Sequence, residues 1–292
     1  MILEPQTSFV LIEHSTGYVK AINGGRGQKT ANRTLNRATD SLRQPGSTFK
    51  VISSFAPALD ACGATLSTVY YDGPYSSGEK EFPNWWASDY KGYHTIRDGI
   101  TYSMNIVALR CMADTVTPQL GVEYAERLGI TSLVSQDQTL SAALGGLTKG
   151  VSNLELTNAF AAIANGGTLM KPYMIDHVEN VGGQTVKKFL PSAYGTLMSA
   201  NDAQFLTHLM SQVVEIGTGS AMRGASYTVA GKTGSAEFEA GKETHSWFVG
   251  FAPADKPKVA ICVLAEESGS GGAVAAPIAR QVLDRYFAKY GQ

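Results

Sequence analysis

The sequence predicts an α/β chain of the α+β type, with one sheet assembled from strands near both ends, helices flanking it, and a helical insertion between. Three observations lead there. Short apolar runs of strand length occur at residues 8–13 and 18–22, and again at 227–230, 247–252 and 259–265. The middle of the chain carries apolar residues at helical spacing instead. Terminal strands of this kind bury a face together, and the helices between them then form layers or a subdomain of their own.

Taken in order, residues 8–13, the turn Ser15-Thr16-Gly17 and residues 18–22 read as a β-hairpin, followed by a Gly/Asn/Arg-rich loop through Asn36. Phe49, Ile52, Phe55, Ala56 and Leu59 share a helical period over 47–62, which Pro57 is expected to kink. Residues 71–92 are irregular and rich in Gly, Pro, Trp and Tyr, and helical patterning returns over 105–113 and around 123–128. Leu154, Leu156, Ala159, Phe160 and Ile163 mark a buried helix over 152–165, stopped by Gly166-Gly167. A hairpin around Gly182-Gly183 occupies 176–189. An amphipathic helix over 201–216 is carried by Phe205, Leu209, Val213 and Ile216, and Gly217 ends it. After the C-terminal strands, residues 268–272 read as a flexible connection to a last helix at 274–289. A single domain, 1–292, is expected, with a sheet subdomain near 1–60 and 170–292 and a helical subdomain near 61–169.

The 292 residues, 43% of them hydrophobic, suffice for a substantial core. Lys+Arg (24) and Asp+Glu (25) nearly cancel, which leaves no basic footprint for nucleic acid and no polybasic membrane patch. No run approaches the roughly 20 apolar residues of a bilayer span, and the N-terminus lacks the charged and apolar regions of a signal peptide. As written, the chain reads as a soluble globular piece. Cys62, Cys111 and Cys262 form no CxxC and read as small core hydrophobes. His14, His94, His177, His208 and His245 are scattered without ligand spacing, so neither a metal nor a cofactor is expected.

Ser47-Thr48-Phe49-Lys50 sets a hydroxyl and an amine on one face of a helix start. Pro45 fixes the approach and Gly46 permits a tight entry. Alone the pattern is weak, because Ser77-Gly78-Glu79-Lys80 and Ser88-Asp89-Tyr90-Lys91 match it inside the irregular stretch, and a serine opening a helix can be merely its cap. Ser103-Met104-Asn105 places a hydroxyl and a carboxamide just ahead of the second helical pattern. Ser199-Ala200-Asn201 matches too, but capping of the helix over 201–216 explains it. Lys232-Thr233-Gly234-Ser235 follows the strand at 227–230 and by itself is a Gly-containing turn.

The order SxxK, SxN, KTG is the motif set of penicillin-binding proteins and class A β-lactamases. Over nearly its whole length the chain resembles a penicillin-binding protein transpeptidase domain. Gly24-Gly25-Arg26, Leu35-Asn36-Arg37-Ala38-Thr39, Arg43-Gln44-Pro45-Gly46, Leu144-Gly145-Gly146, Gly150-Val151-Ser152, Ala164-Asn165-Gly166-Gly167 and Trp247-Phe248-Val249-Gly250 are similar to the bifunctional, class A branch. The resemblance implies a β-lactamase/transpeptidase-like fold whose central antiparallel sheet is flanked by helices, with an all-helical subdomain inserted. It implies a peptidoglycan D,D-transpeptidase that cross-links stem peptides through a serine acyl-enzyme and is inhibited covalently by β-lactams, and it leaves room for D,D-carboxypeptidase side activity.

On that resemblance Ser47 is the nucleophile and Lys50 its base. A lysine brought from about 10.4 to near 7 costs on the order of 4–5 kcal/mol, and burial and the Lys232 cation both push that way. Ser103 passes a proton to the leaving D-Ala amine, and Asn105 holds the substrate backbone. Lys232 supplies positive potential toward the substrate carboxylate, which the hydroxyls of Thr233 and Ser235 bind. Gly234 keeps the strand face clear for a substrate lying alongside as an extra strand. The backbone N–H groups of Ser47 and Ser235 form the oxyanion hole. Serine stands at 235 where the family more often has threonine, so substrate preference is expected to differ. Trp85, Trp86, Tyr90 and Tyr93 either line the cleft rim or anchor packing.

The implied partners are a D-Ala-D-Ala donor peptide, an amine acceptor and β-lactam antibiotics, with no nucleic acid and no membrane segment in this chain. The implied setting is the outer face of the bacterial cytoplasmic membrane. Class A relatives carry an anchor and a glycosyltransferase domain ahead of the transpeptidase; this sequence is therefore expected to be an excised or truncated domain beginning at Met1. Two other readings stay open. One is a hydrolase of the same fold, a β-lactamase or D,D-carboxypeptidase, in which water does the second step; a class A β-lactamase needs a carboxylate to activate that water, and the suggestive segment is Glu155-Leu156-Thr157-Asn158 inside the buried helix. A catalytically silent sensor of β-lactams or muropeptides would keep the same groups in unproductive geometry.

Overall fold

A computed structural model describes residues 5–29, 31–86, 89–239 and 241–291; Met1 and Ser88 of the third SxxK match lie outside them. Strands β1 (Thr7–Glu13) and β2 (Tyr18–Asn23) form the expected hairpin. The segment after Pro45 is three helical pieces rather than one kinked helix: a 3-10 turn at Gly46–Thr48, a π-helical stretch at Val51–Phe55 and α1 (Ala56–Asp60). Pro57 has no N–H to offer an i−4 carbonyl, and the helix widens ahead of it instead of bending.

The next part holds β3 (Val69–Asp72), β4 (Ser76–Ser77), β5 (Lys80–Glu81) and β6 (Gly92–Thr95), paired as two antiparallel ribbons, β3 with β6 and β4 with β5. The insertion expected to be all helical therefore also carries short ribbons, built from the stretch that reads as irregular. Thr95 and Asp98 form a capping box that starts α2 (Ile96–Thr101). Helix α3 (Asn105–Arg110) runs into a π-helical stretch, Cys111–Val116, and Thr117 then caps α4 (Pro118–Arg127). Ser152 and Glu155 form a second capping box at α5 (Asn153–Ala164).

Short strands β7 (Thr168–Met170), β8 (His177–Glu179), β9 (Thr185–Lys188) and β10 (Ala193–Thr196) precede α6 (Ala200–Glu215). The Ser199 side chain accepts from Asp202 N, so the competing SxN match at 199–201 is indeed a helix cap. The chain closes with β11 (Ala230–Ala236), β12 (His245–Ala252), β13 (Val259–Ala265) and α7 (Ala275–Tyr290).

The main sheet is antiparallel in the order β11-β12-β13-β1-β2, and β1 joins the chain's two ends by pairing with β13 from Thr7↔Ala265 to Glu13↔Val259. Every residue of β12 and β13 is buried, because both faces of the sheet are covered. Phe248, Ile261 and Val263 pack with Leu283 and Phe287 of α7, while Trp247, Val249, Cys262 and Leu264 face the larger core containing α5. Thus α5 lies beneath the sheet although it falls within the stretch assigned to the helical part.

Two further expectations change. The strand expected at 227–230 begins at Ala230 and runs through Ala236, so Lys232-Thr233-Gly234-Ser235 is strand and not the turn after it. Two glycines and no β-branched run conceal a strand whose pairing comes from β12. Of the cysteines, Cys111 and Cys262 are buried, whereas Cys62 is only half-buried at the core's margin. Among the described residues no helix is long and apolar enough to cross a membrane, and no cluster of three or more His, Cys, Asp or Glu side chains could hold a metal ion.

Candidate active site

Five contacts converge on the short strap that delivers Ser47. Arg43 pairs with Val151 through both backbone groups, and its Nε meets Glu266 at 2.9 Å. Glu266 is buried at the end of β13 and also takes Arg37 Nε at 3.0 Å and Ser41 Oγ at 3.2 Å. Gln44 donates through Nε2 to Leu147 O at 3.2 Å and accepts at its own carbonyl from Trp247 Nε1 at 2.9 Å. Gly46 then turns with φ +55°, a conformation that suits glycine. Its Cα lies so close to the Ser235 carbonyl that a Cβ would collide with that oxygen. The 3-10 turn holding Ser47 is therefore seated on the outer edge of β11, with Ser47 half-buried at the seam.

Gly234 has a packing reason beyond the one read from sequence. A Cβ there would sit 2.7 Å from Pro45 O and 2.8 Å from Thr48 Cγ2. Its missing side chain is what lets the serine turn approach the strand.

One turn beyond Ser47, Lys50 is fully buried. Its Nζ donates to Ser103 O at 2.6 Å and Asn105 Oδ1 at 2.6 Å, with Ser103 Oγ at 3.3 Å. Lys232, equally buried on β11, donates to the same Ser103 Oγ at 2.8 Å and to Thr233 O at 2.9 Å. Every partner of the two amines is a neutral oxygen. Burial and then the Lys232 charge hold the Lys50 amine well below the ordinary lysine range, and burial lowers Lys232 to about 7. With Lys50 neutral, its lone pair can accept from Ser103 O–H while that same oxygen accepts from Lys232.

Ser103 sits at φ +56°, in the left-handed region that non-glycine residues seldom occupy. The strain is held by Ser103 N donating to Ile100 O at 3.2 Å and Met104 N to Gly99 O at 3.0 Å, and it points the hydroxyl between the two amines. Asn105 opens α3. Its Oδ1 is engaged by Lys50, and its Nδ2 donates to Pro83 O at 2.9 Å, which leaves one amide hydrogen for another partner.

On β11, Thr233 Oγ1 is 2.6 Å from Thr218 Oγ1, and Ser235 Oγ accepts from Gly271 N at 3.2 Å. Residues 268–272 are thus not a flexible connection. Thr244 Oγ1 donates to Gly269 O at 2.7 Å and Ser246 Oγ to Ser270 O at 3.0 Å, so the loop is laced to the strands beside Ser235. Among the described residues β11 pairs only with β12, and its outer edge faces the serine turn. The eight site residues read from the sequence are brought together at the junction of the serine turn, the start of α3 and β11: Ser47, Lys50, Ser103, Asn105, Lys232, Thr233, Gly234 and Ser235. Among them, the Ser47 hydroxyl makes no hydrogen bond within the described residues.

Two more residues join the site without belonging to any motif, Thr218 and Asn84. Thr218 is flanked by Gly217 and Gly219 just past α6, a small-residue corner that could have marked a close approach. Asn84 follows a proline in the irregular stretch, where no pattern singles it out. The decoy Ser77 and Lys80 face each other across the β4–β5 ribbon, with Lys80 Nζ donating to Ser141 Oγ at 2.9 Å. Trp85 and Tyr93 are 61% and 77% exposed; Trp85 anchors its indole to Tyr102 O, next to Ser103, at 3.0 Å. Trp86 and Lys91 stack at 5.2 Å.

Glu155 is spoken for. Its carboxylate accepts from Ser152 N and Oγ and from Thr131 N and Oγ1 at 2.7–2.9 Å. Burial pushes its pKa up, but these hydrogen bonds outweigh burial and hold it below the usual glutamate value.

The family model for the penicillin binding protein transpeptidase domain matches residues 7–284. Penicillin-binding protein 1A of Clostridium botulinum is 31% identical over 265 residues, covering 86% of this chain and 31% of that protein. Penicillin-binding protein 1F of Bacillus subtilis is 34% identical over 249 residues, covering 84% of this chain and 33% of that protein. The chain thus spans about a third of the length of these curated relatives. Among solved structures, the D,D-transpeptidase domain of a peptidoglycan glycosyltransferase from Eggerthella lenta superposes with a TM-score of 0.83 at 25% identity, over 99% of this chain and 79% of that one. Penicillin-binding protein A of Mycobacterium tuberculosis, as its imipenem acyl-enzyme complex, gives 0.82 at 25% identity, over 96% and 73% of the two chains.

Proposed function

The chain belongs to the penicillin-binding protein transpeptidase family, and from that premise we propose that it is a serine D,D-transpeptidase of peptidoglycan, acylated by β-lactams. The observation that carries the reading is the convergence of two fully buried amines, Lys50 and Lys232, on the single hydroxyl of Ser103 beside the turn of Ser47. A serine hydroxyl needs a base to become a nucleophile, and a lysine held neutral by burial is one.

In this mechanism Ser47 Oγ attacks the carbonyl carbon of the penultimate D-Ala, and its proton passes to Lys50 Nζ. The tetrahedral oxyanion is held by the backbone N–H groups of Ser47 and Ser235; a lost donor of this kind typically costs about 2.7–4 kcal/mol. Collapse breaks the C–N bond, and the proton reaches the leaving D-Ala amine through Ser103 Oγ, which touches both amines. Lys232 faces the terminal carboxylate, with the hydroxyls of Thr233 and Ser235 as donors, while Asn105 uses its remaining amide hydrogen on the substrate backbone. An acceptor amine then attacks the ester, the same groups act in reverse, and Ser47 is released. The open edge of β11 suits an extended stem peptide added as a further strand. The setting we infer is the extracytoplasmic face of the bacterial cytoplasmic membrane, where stem peptides are cross-linked.

Incubation with benzylpenicillin followed by intact mass measurement tests this. The expected result is a persistent one-to-one adduct on the wild-type chain and none on folded Ser47→Ala. Labelling that survives Ser47→Ala removes the nucleophile assignment, and rapid loss of the adduct with turnover of the drug favours a hydrolase. The engagement of Glu155 in the α5 cap speaks against that second outcome.

A further inference from the structure

Helix α3, which carries Asn105, starts without a capping side chain of its own. Met104 occupies its N-cap position and offers no acceptor, although the first N–H groups of a helix lack intrahelical partners. Asn84 fills the role from 21 residues away: its Oδ1 accepts from Asn105 N at 3.1 Å and from Ile106 N at 3.4 Å. The preceding carbonyl, Pro83 O, accepts from Asn105 Nδ2 at 2.9 Å. Residues 83 and 84 thus grip Asn105 at both its backbone and its carboxamide, and the far side of that carboxamide holds Lys50 at 2.6 Å.

What orients Asn84 is a carboxylate. Its Nδ2 donates to Asp72 Oδ1 at 2.7 Å, and the other oxygen of Asp72 accepts from Lys91 N at 2.9 Å. Asp72 ends β3 and is fully buried. An ionised carboxylate only accepts, so Asn84 must turn its NH₂ toward Asp72 and its carbonyl toward α3. Were the amide reversed, its two donors would face the N–H groups of Asn105 and Ile106. The polarity of one buried acid is therefore transmitted through a single amide to the group that holds Lys50.

Resting on the acyl-transfer reading above, we propose that Asp72 and Asn84 are a positioning pair for that reaction: they set the Asn105 carboxamide, and through it the Lys50 amine, without touching substrate.

The chain of donors and acceptors can be inverted, which gives the test. Asn84→Asp removes the donor to Asp72 and sets two carboxylates together; Asp72→Asn must turn its new NH₂ toward one of two donors, Asn84 Nδ2 or Lys91 N. In the double variant Asp72→Asn with Asn84→Asp, the new amide can donate to residue 84 and still accept from Lys91 N, while the new carboxylate accepts from α3. Second-order acylation by benzylpenicillin is expected to fall about 100-fold in Asn84→Asp, the scale of a small misplacement of reacting groups, to fall less in Asp72→Asn, and to return to within about tenfold of wild type in the swap. Asn84 is half-buried on a loop, so Asn84→Asp is expected to fold, as thermal melting will verify.

The same variants are read by NMR without any acylation, through the Asn105 side-chain amide resonances and the titration of the Lys50 Cε signal. Both are expected to move in the single variants and to return in the swap. Single variants acylated at the wild-type rate, or a folded swap as slow as its worse parent, overturn the pair. Unmoved Asn105 amide signals do the same. A wild-type chain that forms no adduct would instead overturn the acyl-transfer reading, while the NMR arm still decides whether the pair holds Asn105 and Lys50.

Discussion

The indole nitrogen of Trp247 donates a 2.9 Å hydrogen bond to the backbone carbonyl of Gln44, across 203 residues of sequence. The donor is fixed in the middle of a fully buried strand, and the acceptor lies just ahead of the serine turn. Trp247→Phe keeps most of the apolar contact but leaves the half-buried Gln44 carbonyl without this donor, which costs about 1–3 kcal/mol. Urea midpoints should show that loss. Acylation is expected to slow by about tenfold, because the strap no longer seats Ser47 firmly on β11. Unchanged acylation in a destabilised protein would mean that the other strap contacts suffice.

The two amines predict a specific pH response. Burial lowers Lys232 to about 7, and Lys50 lies well below its ordinary range. Acylation rates at low drug concentration report the free enzyme. With Lys232 in its proposed role opposite the drug's carboxylate, they should therefore fall above about pH 7 as Lys232 loses its charge, and fall again in acid as Lys50 gains a proton. Lys232→Arg stays charged and should lack the alkaline limb; its persistence there would trace that limb to another group. For stability the sign is fixed by the depressed folded value. Between about 7 and about 10.4 the unfolded chain binds more protons, so stability rises with pH across that window.

Gly234→Ala places a methyl group where Pro45 O and Thr48 Cγ2 already stand, at 2.7 and 2.8 Å. Strand and turn must separate, with a cost of about 1–3 kcal/mol for overpacking. Acylation should drop by about 100-fold. Stopped-flow labelling and thermal melting on the same sample distinguish a misplaced nucleophile from a protein that has simply lost stability.

Glu155→Gln should act on folding and not on chemistry. The carboxylate serves the N-terminus of α5, and weakening this cap is worth about 1 kcal/mol. Its folded pKa is depressed, so its contribution is present at neutral pH and lost as pH falls through the folded value. The lifetime of the penicillin adduct is expected to stay at the wild-type value. A markedly longer lifetime in Glu155→Gln would assign this carboxylate to deacylation after all.

Much of this arrangement was legible beforehand, for identifiable reasons. Residues 259–265 are apolar without alternation because both faces of β13 are covered, and the helical spacing of Leu156, Ala159, Phe160 and Ile163 marks α5 because one side of it packs under the sheet. The SxxK, SxN and KTG residues were found because three short patterns occur together in one order. What escaped reading is tertiary. The register change ahead of Pro57 depends on packing, and β11 is a strand only because β12 pairs with it. The loop at 268–272 is ordered by Thr244, Ser246 and Ser235, none of which is its neighbour in sequence. Asn84 looks like any loop asparagine until α3 is seen to have a methionine at its N-cap.

A sheet that ends in an open strand is ordinarily a risk, since any extended segment of another copy could zip onto it and seed aggregation. Among the described residues no strand pairs with the outer edge of β11, and the turn at Gly46 is wedged there against the carbonyl of Ser235. A strand from a second copy cannot run the full length of that edge past the Gly46 turn, so the contact that seats Ser47 also guards the molecule against its own kind.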